Sequence, residues 1–144
     1  MLGKAIVSAL RDIDDATAEA IAVLLPQLST SAVFDRARLD SMISNEARTL
    51  LVARIDGRIV GMATLVTFPL LTGKRGHVDD VVVDESARGH GVGRALMEAI
   101  IDLARACQLR TVDLSSRPSR AAAINLYESV GFQPRTSTLM RYEP

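Results

Sequence analysis

The chain has 144 residues, which is enough for one domain with a sizeable hydrophobic core. Hydrophobic residues make up 48% of it and charged residues 24%, a composition typical of globular rather than disordered proteins. Seventeen basic residues balance seventeen acidic ones, and this zero net charge argues against nucleic acid or a membrane surface as a partner bound through a general electrostatic field.

The single cysteine, Cys107, excludes an internal disulfide and a cysteine-rich metal site, so we expect no metal. The N-terminal stretch lacks the long apolar run and the small-residue cleavage site of a secretory signal. No stretch approaches the roughly 18 apolar residues that span a bilayer. The sequence therefore predicts one soluble cytoplasmic domain over residues 1–144, with neither nucleic acid nor a membrane as a partner.

The first half of the chain predicts a strand, two helices and a β-hairpin. Three aspartates within 12–15 can cap a helix that continues to about Leu25, immediately before Pro26. The dipeptide Asp56-Gly57 lies between two β-type runs, which is a strong hairpin signal. The expected strands are 5–10, 50–55 and 59–68, and the second helix is 34–43.

The second half alternates strands and helices. The most regular helical periodicity lies at 91–107, where apolar residues recur three or four apart along one face. Another helix is predicted over 119–130, between a Ser119 cap and Gly131. The remaining segments are a loop at 69–76, strands at 78–83 and 111–115, and one or two final strands within 132–142. The whole pattern predicts a mixed α/β domain.

A glycine-rich turn joins the strand at 78–83 to the helix that follows. Its residues are Arg88, Gly89, His90, Gly91, Val92, Gly93 and Arg94. Backbone N–H groups at a helix start have no intrahelical acceptor, and the helix dipole adds partial positive charge there. Glycines let a ligand come close to the backbone. The turn is therefore a candidate phosphate or pyrophosphate site, with its two arginines as charge partners.

The spacing of this turn argues against two common nucleotide loops. A dinucleotide fingerprint requires glycine where this chain has Arg94, and a Walker loop requires Gly-Lys followed by Ser or Thr, which the turn lacks. A nucleotide-binding domain is therefore a poor interpretation. A turn with only a structural purpose stays open, although three glycines in five residues cost backbone entropy.

Two motifs resemble those of the GCN5-related N-acetyltransferases, the GNAT family. Arg88, Gly91 and Gly93 match the family's cofactor signature of Arg or Gln, two residues, Gly, one residue, and then Gly or Ala. Residues 126–132, Leu-Tyr-Glu-Ser-Val-Gly-Phe, match the family's Leu-Tyr, three residues, Gly-Phe. The resemblance implies a GNAT-like α/β fold with a central twisted mixed sheet. That sheet is expected to splay between its fourth and fifth strands and to be flanked by about four helices.

The resemblance also implies how acetyl-CoA is bound. The co-substrate is expected in the opening between the two strands, with backbone groups of Val81 and Val83 on its pantetheine arm. The amides of residues 88–94 are expected to hold the pyrophosphate. Many family members have Asn at the position of Arg120, and that role is not carried over. Arg120 is expected either near the phosphates or pantetheine, or as a solvated helix charge.

Catalytic roles follow from the same resemblance. Tyr127 is expected as the general acid, facing the cofactor sulfur, with a core tyrosine as the alternative. Asp79 is the first candidate for general base, directly or through water, because many relatives carry Glu there. Strand alternation places His77, Asp79, Val81 and Val83 on one face, so His77 can share that task. For both residues the alternative is substrate orientation or a solvated strand end.

The predicted function is direct transfer of the acetyl group from acetyl-CoA to a primary amine in a ternary complex. A non-catalytic acyl-CoA-binding sensor or regulatory module is the alternative, and pure binding requires neither Tyr127 nor Asp79. The amine acceptor stays open among a small amine, an amino-acid derivative and a protein N-terminus. A homodimer is expected from the family alone.

Overall fold

The computed structural model describes residues 3–144. Its centre is a five-stranded sheet, and the strands lie side by side in the order in which they occur in the chain. Its strands are β1 (Ile6–Ala9), β2 (Arg48–Ile55), β3 (Arg58–Leu70), β4 (Gly73–Val83) and β5 (Thr111–Asp113). The helices are α1 (Asp15–Leu28), α2 (Arg36–Ile43), α3 (Val92–Ala106) and α4 (Ala121–Ser129). The first four strands pair antiparallel, and β5 joins β4 in parallel. The predicted mixed α/β fold is confirmed.

Each face of the sheet has its own hydrophobic core. The apolar stripe of α3, with Leu96, Met97 and Ile100, packs with Leu65 of β3 and with Tyr127 of α4. The other face carries a second cluster of side chains from α1, α2 and the sheet, which includes Ile21, Leu24, Leu39, Met62 and Val82. Burial of these stripes is what fixes the helices on the sheet.

Two helices begin at aspartate caps, and the sequence predicts the one at α1. Asp14 accepts a hydrogen bond from the Thr17 N–H at 2.7 Å, and Asp35 accepts one from the Arg38 N–H at 3.1 Å. The end of α1 differs from expectation, because the helix continues through Pro26 to Leu28. A proline removes one backbone donor, and the Ser29 N–H still bonds to the Leu25 carbonyl at 3.0 Å, so the final turn stays closed.

The two hairpins of the sheet were not equally predictable. Asp56 and Gly57 adopt the left-handed conformation, with φ of 50° and 80°, and form the expected two-residue turn. The loop predicted at 69–76 is wrong, because Leu70 and Gly73 are already register partners in a second hairpin. These polar residues form strand because backbone bonding on both sides holds them, including the bond from the Arg110 N–H to the Lys74 carbonyl at 2.7 Å.

The final strands predicted within 132–142 are absent from the described part of the chain, which has no regular secondary structure after Ser129. Phe132 packs against the core: its N–H donates to the Tyr127 carbonyl, and its ring lies edge-on against the Tyr127 ring. The Ser119 cap is also wrong, since the N-cap of α4 is Arg120, which makes no side-chain cap hydrogen bond. No helix within residues 3–144 has the length and apolar character needed to cross a membrane.

Candidate functional site

The site lies where β5 separates from β4. Pairing between them covers only Arg75 with Thr111, Gly76 with Val112 and His77 with Asp113. Strand β4 then continues to Val83 without β5 beside it. The predicted opening between the fourth and fifth strands is therefore present, and backbone groups of residues 78–83 face it.

A β-bulge interrupts β4 inside this opening. Met62 pairs with Val82 and Thr64 pairs with Asp79, so Ala63 alone stands opposite both Asp80 and Val81. Asp80 has a φ of 53°, a left-handed conformation that is uncommon for a residue with a side chain. Strained backbone of this kind concentrates at functional sites.

The bulge overturns the prediction that His77, Asp79, Val81 and Val83 share one face. Val81 and Val83 pack against the α3 core, whereas Asp79 stands opposite Thr64, on the face that carries Met62 and the α1 and α2 cluster. The extra residue shifts the alternation by one position, which a uniform period of two cannot anticipate. His77, opposite Val66, stays on the face of Asp79.

The two carboxylates at the bulge have different surroundings. One Asp79 oxygen accepts the Asp80 N–H at 2.8 Å, and the other lies 3.7 Å from His77 Nε2, while the side chain is 69% exposed. Asp80 instead has its pKa raised, first by desolvation and then by the nearby charge of Asp79. A carboxyl group with a raised pKa is better suited to accept a proton near neutrality. No signal in the sequence separates Asp80 from its neighbour.

The chain passes from β4 into the glycine-rich turn through a short 3₁₀ turn, Glu85–Ala87, capped by Asp84. Ala87 is fully buried and fixes this entry against the core. The His90 side chain also holds the turn. Its Nδ1 lies 3.0 Å from the Arg88 carbonyl oxygen and 3.2 Å from the Ala87 carbonyl oxygen. Because carbonyl oxygens only accept, Nδ1 is the donor. The sequence predicts a role only for the backbone amide of His90, whereas its ring also makes these contacts within the turn.

Helix α3 begins without a side-chain cap. Gly91 is its N-cap with a φ of 77°, and the first intrahelical bond runs from the Ala95 N–H to the Gly91 carbonyl. The N–H groups of Val92, Gly93 and Arg94 donate to no acceptor within the described residues. They form an uncapped, positively polarised helix start beside the opening.

The glycines of this turn serve different purposes. A Cβ built on Gly91 has nothing within 4 Å, which leaves open space over the backbone for a ligand. A Cβ on Gly93 would lie 3.0 Å from Leu126 Cδ2. Gly93 therefore permits the close contact of α3 with α4. The cofactor signature requires a small residue here but does not reveal whether helix packing or ligand binding is the reason.

The basic side chains near the turn are likewise not equivalent. Arg88 is exposed, and its side chain makes no hydrogen bond or ion pair within residues 3–144. The Arg94 guanidinium is engaged along the helices, 2.7 Å from Ser129 Oγ and 3.6 Å from a Glu98 oxygen. Of the two predicted charge partners, Arg88 is the one whose guanidinium is available to an anion.

Tyr127 occupies the inner face of α4 and is 8% exposed. Burial raises the pKa of its hydroxyl, which the nearby Arg120 charge partly offsets. The phenol is therefore protonated at neutral pH and able to donate a proton. It makes no hydrogen bond to any of residues 3–144. Arg120 lies at the exposed N-cap of α4, on the side of Tyr127.

These elements can hold a phosphorylated ligand along β4 and the start of α3, and can present a phenolic proton to it. Within the ranges that the structure describes, no group of three or more His, Cys, Asp or Glu side chains is arranged as a metal site.

Comparison with known proteins gives a consistent family. A sequence model of the acetyltransferase (GNAT) family matches residues 10–132. The chain is similar to a glucosamine 6-phosphate N-acetyltransferase of Trypanosoma brucei brucei, at 31% identity over 132 residues that cover 86% of this chain and 88% of the relative. A shorter match of 57 residues, 44% identical, covers 40% of this chain and 38% of the ribosomal protein bS18-alanine N-acetyltransferase of Escherichia coli K12.

Solved structures agree in architecture. An acetyltransferase from Trypanosoma brucei superposes with a TM-score of 0.81 at 27% identity, covering 98% of this chain and 100% of that one. The enzyme AAC(6')-Iy, in complex with a CoA-containing bisubstrate analogue, gives a TM-score of 0.79 at 17% identity and covers 99% of both chains. The second likeness shows a shared fold alone.

Proposed function

The chain belongs to the GNAT acetyltransferase family, and we propose that it moves the acetyl group of acetyl-CoA directly to a primary amine in a ternary complex. The observation that carries the proposal is the uncapped start of α3, with three unpaired N–H groups, which packs against α4, the helix of Tyr127. A pyrophosphate satisfies such donors, and a buried phenol suits the departing thiolate.

In this proposal the cofactor lies along the free side of β4. The amides of Val92, Gly93 and Arg94 bind the pyrophosphate, with the Arg88 guanidinium as a counter-charge. Backbone groups near Val81 and Val83 bind the pantetheine arm, as the absence of β5 alongside these residues permits. Arg120 is a further cation on the α4 side of the same opening.

The chemistry requires that one bond forms and one breaks. The amine nitrogen attacks the thioester carbonyl carbon, the C–N bond forms, and the C–S bond then breaks. Tyr127 donates its phenolic proton to the leaving thiolate, and a base takes the proton of the amine. A backbone N–H at the bulge, near Val81, is suited to stabilise the oxyanion, because a bulge leaves ladder groups unpaired.

The base is proposed among the groups at the bulge. Asp79, chosen from the sequence, lies on the face of His77 and is largely exposed, consistent with a water-mediated role. Asp80 is the competing candidate, because its pKa is raised. The pH dependence of kcat/KM separates them: the acidic limb should disappear in D79N if Asp79 is the base, and in D80N if Asp80 is.

The acceptor is proposed from the relatives of the chain. We propose a phosphorylated amino sugar as the first candidate, supported by the long match to a glucosamine 6-phosphate N-acetyltransferase. A peptide N-terminus is the second candidate, supported by the shorter match to an alanine N-acetyltransferase. Release of CoA thiol from acetyl-CoA should be measured with glucosamine 6-phosphate, glucosamine, an alanine-initiated peptide and spermidine.

Acceleration of thiol release by one of these amines, with the acetylated amine identified by mass spectrometry, is the expected result. If acetyl-CoA raises the melting temperature but no amine accelerates release, the sensor function replaces the catalytic one.

A further inference from the structure

A hydrogen-bonded cluster, which we name the Asp84 cluster, ties the end of α1 to the entry of the glycine-rich turn. It consists of Gln27, Arg58, Asp84, Glu85 and Ser86. None of its members belongs to the cofactor or acetyl-transfer residues described above. They come from three separate parts of the chain, so the contacts are tertiary rather than local.

Gln27 uses both ends of its amide in this cluster. Its Nε2 donates to one Asp84 oxygen at 2.8 Å, and its Oε1 accepts the Glu85 N–H at 2.9 Å. One side chain thus holds both the cap of the 3₁₀ turn and the first amide of that turn. Only an amide supplies a donor and an acceptor at this spacing.

Both oxygens of Asp84 accept hydrogen bonds. Besides Gln27, its second oxygen accepts from the Ser86 N–H at 3.2 Å, from the Ser86 hydroxyl and from Arg58 Nη2 at 3.3 Å. The side chain is 16% exposed, and the hydrogen bonds from Ser86 and Gln27, with the Arg58 charge, lower its pKa. The carboxylate is therefore ionised and fully engaged across the physiological pH range.

This cluster sits immediately before the proposed pyrophosphate site. Its members Glu85 and Ser86 form the 3₁₀ turn together with the buried Ala87, and the His90 ring holds the carbonyls of Ala87 and Arg88. Because this segment is short, a displacement of Glu85 would also displace the amides at the start of α3. Amides that must bind a ligand gain affinity when they are held in place beforehand.

We propose that Gln27 is a positioning residue for acetyl-CoA: through Asp84 and Glu85 it holds the glycine-rich turn in its binding conformation. The proposal rests on the function proposed above. Gln27 touches neither the turn's free amides nor Tyr127, so its removal weakens acetyl-CoA binding and leaves the chemical step largely unchanged.

The test exploits hydrogen-bond complementarity. In Gln27→Glu a carboxylate faces the Asp84 carboxylate, and the donor is lost. In Asp84→Asn the new amide N–H₂ group meets Gln27, Arg58 or Ser86, all of which donate. In the double variant, the carboxylate introduced at position 27 can accept from both the amide introduced at position 84 and the Glu85 N–H, so the arrangement is restored. Gln133→Glu is the matched control, because Gln133 is exposed and this substitution adds the same negative charge as Gln27→Glu.

We expect each single variant to raise the Kd and KM for acetyl-CoA by about 10-fold with kcat within about 2-fold, and the double variant to recover most of the affinity. The Q133E control should match the wild type. If Q27E and D84N lower only the melting temperature and leave the Kd unchanged, the cluster is structural and the proposal fails. Failure of the double variant to recover affinity would equally refute the complementarity.

Amide hydrogen exchange of the ligand-free protein provides a readout that does not depend on acetyl-CoA. Exchange of residues 85–91 should accelerate in Q27E and return towards wild type in the double variant. If exchange is unchanged in Q27E, Gln27 does not hold the turn. If exchange responds as expected but the wild type does not bind acetyl-CoA, the proposed function fails while the ordering of the turn by Gln27 stands.

Discussion

The first N–H groups of a helix have no acceptor within the helix, and the starts of α1 and α3 differ in how these groups are satisfied. At α1, the Asp14 carboxylate accepts the Thr17 N–H, and this hydrogen bond lowers the pKa of Asp14. At α3, the N-cap is Gly91, which has no side chain to accept anything, and the amides of Val92–Arg94 stay unpaired in the described structure. The start of α1, like that of α2, is capped by an aspartate of its own chain.

The difference indicates what each start is for. An uncapped start costs stability, and α3 tolerates this cost because its apolar stripe is the most deeply buried of any helix, with Leu96, Met97 and Ile100 at zero exposure. Packing energy from the core thus holds a helix whose first turn, in the function proposed above, binds a ligand. The predictions below test this contrast, beginning with the largest effect.

Tyr127→Phe should separate chemistry from binding at the α3 start. We expect kcat to fall by about 10²–10⁴-fold, because the leaving thiolate loses its proton donor, while the acetyl-CoA Kd stays close to that of the wild type. Steady-state kinetics and calorimetric titration measure the two quantities. Tyr142→Phe is the matched control, since Tyr142 is exposed and distant in sequence from the motif. An unchanged kcat in Y127F would remove Tyr127 from the mechanism.

Gly91→Ala should break the open helix start directly. A Cβ at a φ of 77° both strains the backbone and occupies the space over the free amides, so the acetyl-CoA Kd should rise by about 10-fold or more. Gly57→Ala is a close control, because Gly57 has a φ of 80° and equally open surroundings in the β2–β3 turn. Both variants should lose similar thermal stability. Equal loss of affinity in both would contradict the assignment of the pyrophosphate site.

Asp14→Ala should show the reverse pattern at α1. Loss of the cap should lower the melting temperature by about 3 °C and leave the acetyl-CoA Kd unchanged. Because the folded-state pKa of Asp14 is lowered, the stability that it contributes is present above its unfolded pKa and is lost as pH falls through the folded value. Thermal melts at neutral and acidic pH check both points. A change in acetyl-CoA affinity would show that the two helix starts are coupled.

Asp80→Asn should give the smallest effect on stability. The folded-state pKa of Asp80 is raised, so its ionised form costs stability, a cost that is absent at low pH and present above the folded pKa. Asparagine tolerates the left-handed backbone and carries no charge. We expect a slightly higher melting temperature at neutral pH and no difference in acid, well below the ordinary pKa of an aspartate. A lower melting temperature at neutral pH would mean that the Asp80 carboxylate is stabilising.

Most of the fold was predictable because local signals agreed with tertiary packing. The apolar stripe of α3, the aspartate cap of α1 and the Asp56-Gly57 turn are each recognisable from neighbouring residues alone. The second hairpin was missed because Lys74 and its polar neighbours are held by backbone bonds to β3 and β5, which have no side-chain signature. The predicted C-terminal strands are wrong because the β-type residues there pair with no strand of the described chain.

The candidate site was only partly predictable. Arg88, Gly91 and Tyr127 belong to motifs, and the structure packs the start of α3 against α4, the helix of Tyr127. The bulge was invisible, because Asp80 forms it through one backbone angle, and this reversed the relation between Asp79 and Val81. Gln27 was equally hidden, since its partner Asp84 lies 57 positions along the chain and no periodic pattern connects them.

The central claim is that the amides at the start of α3 bind the pyrophosphate of acetyl-CoA. An NMR titration of the isotopically labelled protein with acetyl-CoA tests it directly, with the Asp15–Thr17 amides of α1 as the internal reference. The amide resonances of Val92, Gly93 and Arg94 should undergo the largest shifts and become protected from exchange, while the α1 reference stays unchanged. If acetyl-CoA binds and these three amides do not respond, the pyrophosphate lies elsewhere and the claim is wrong.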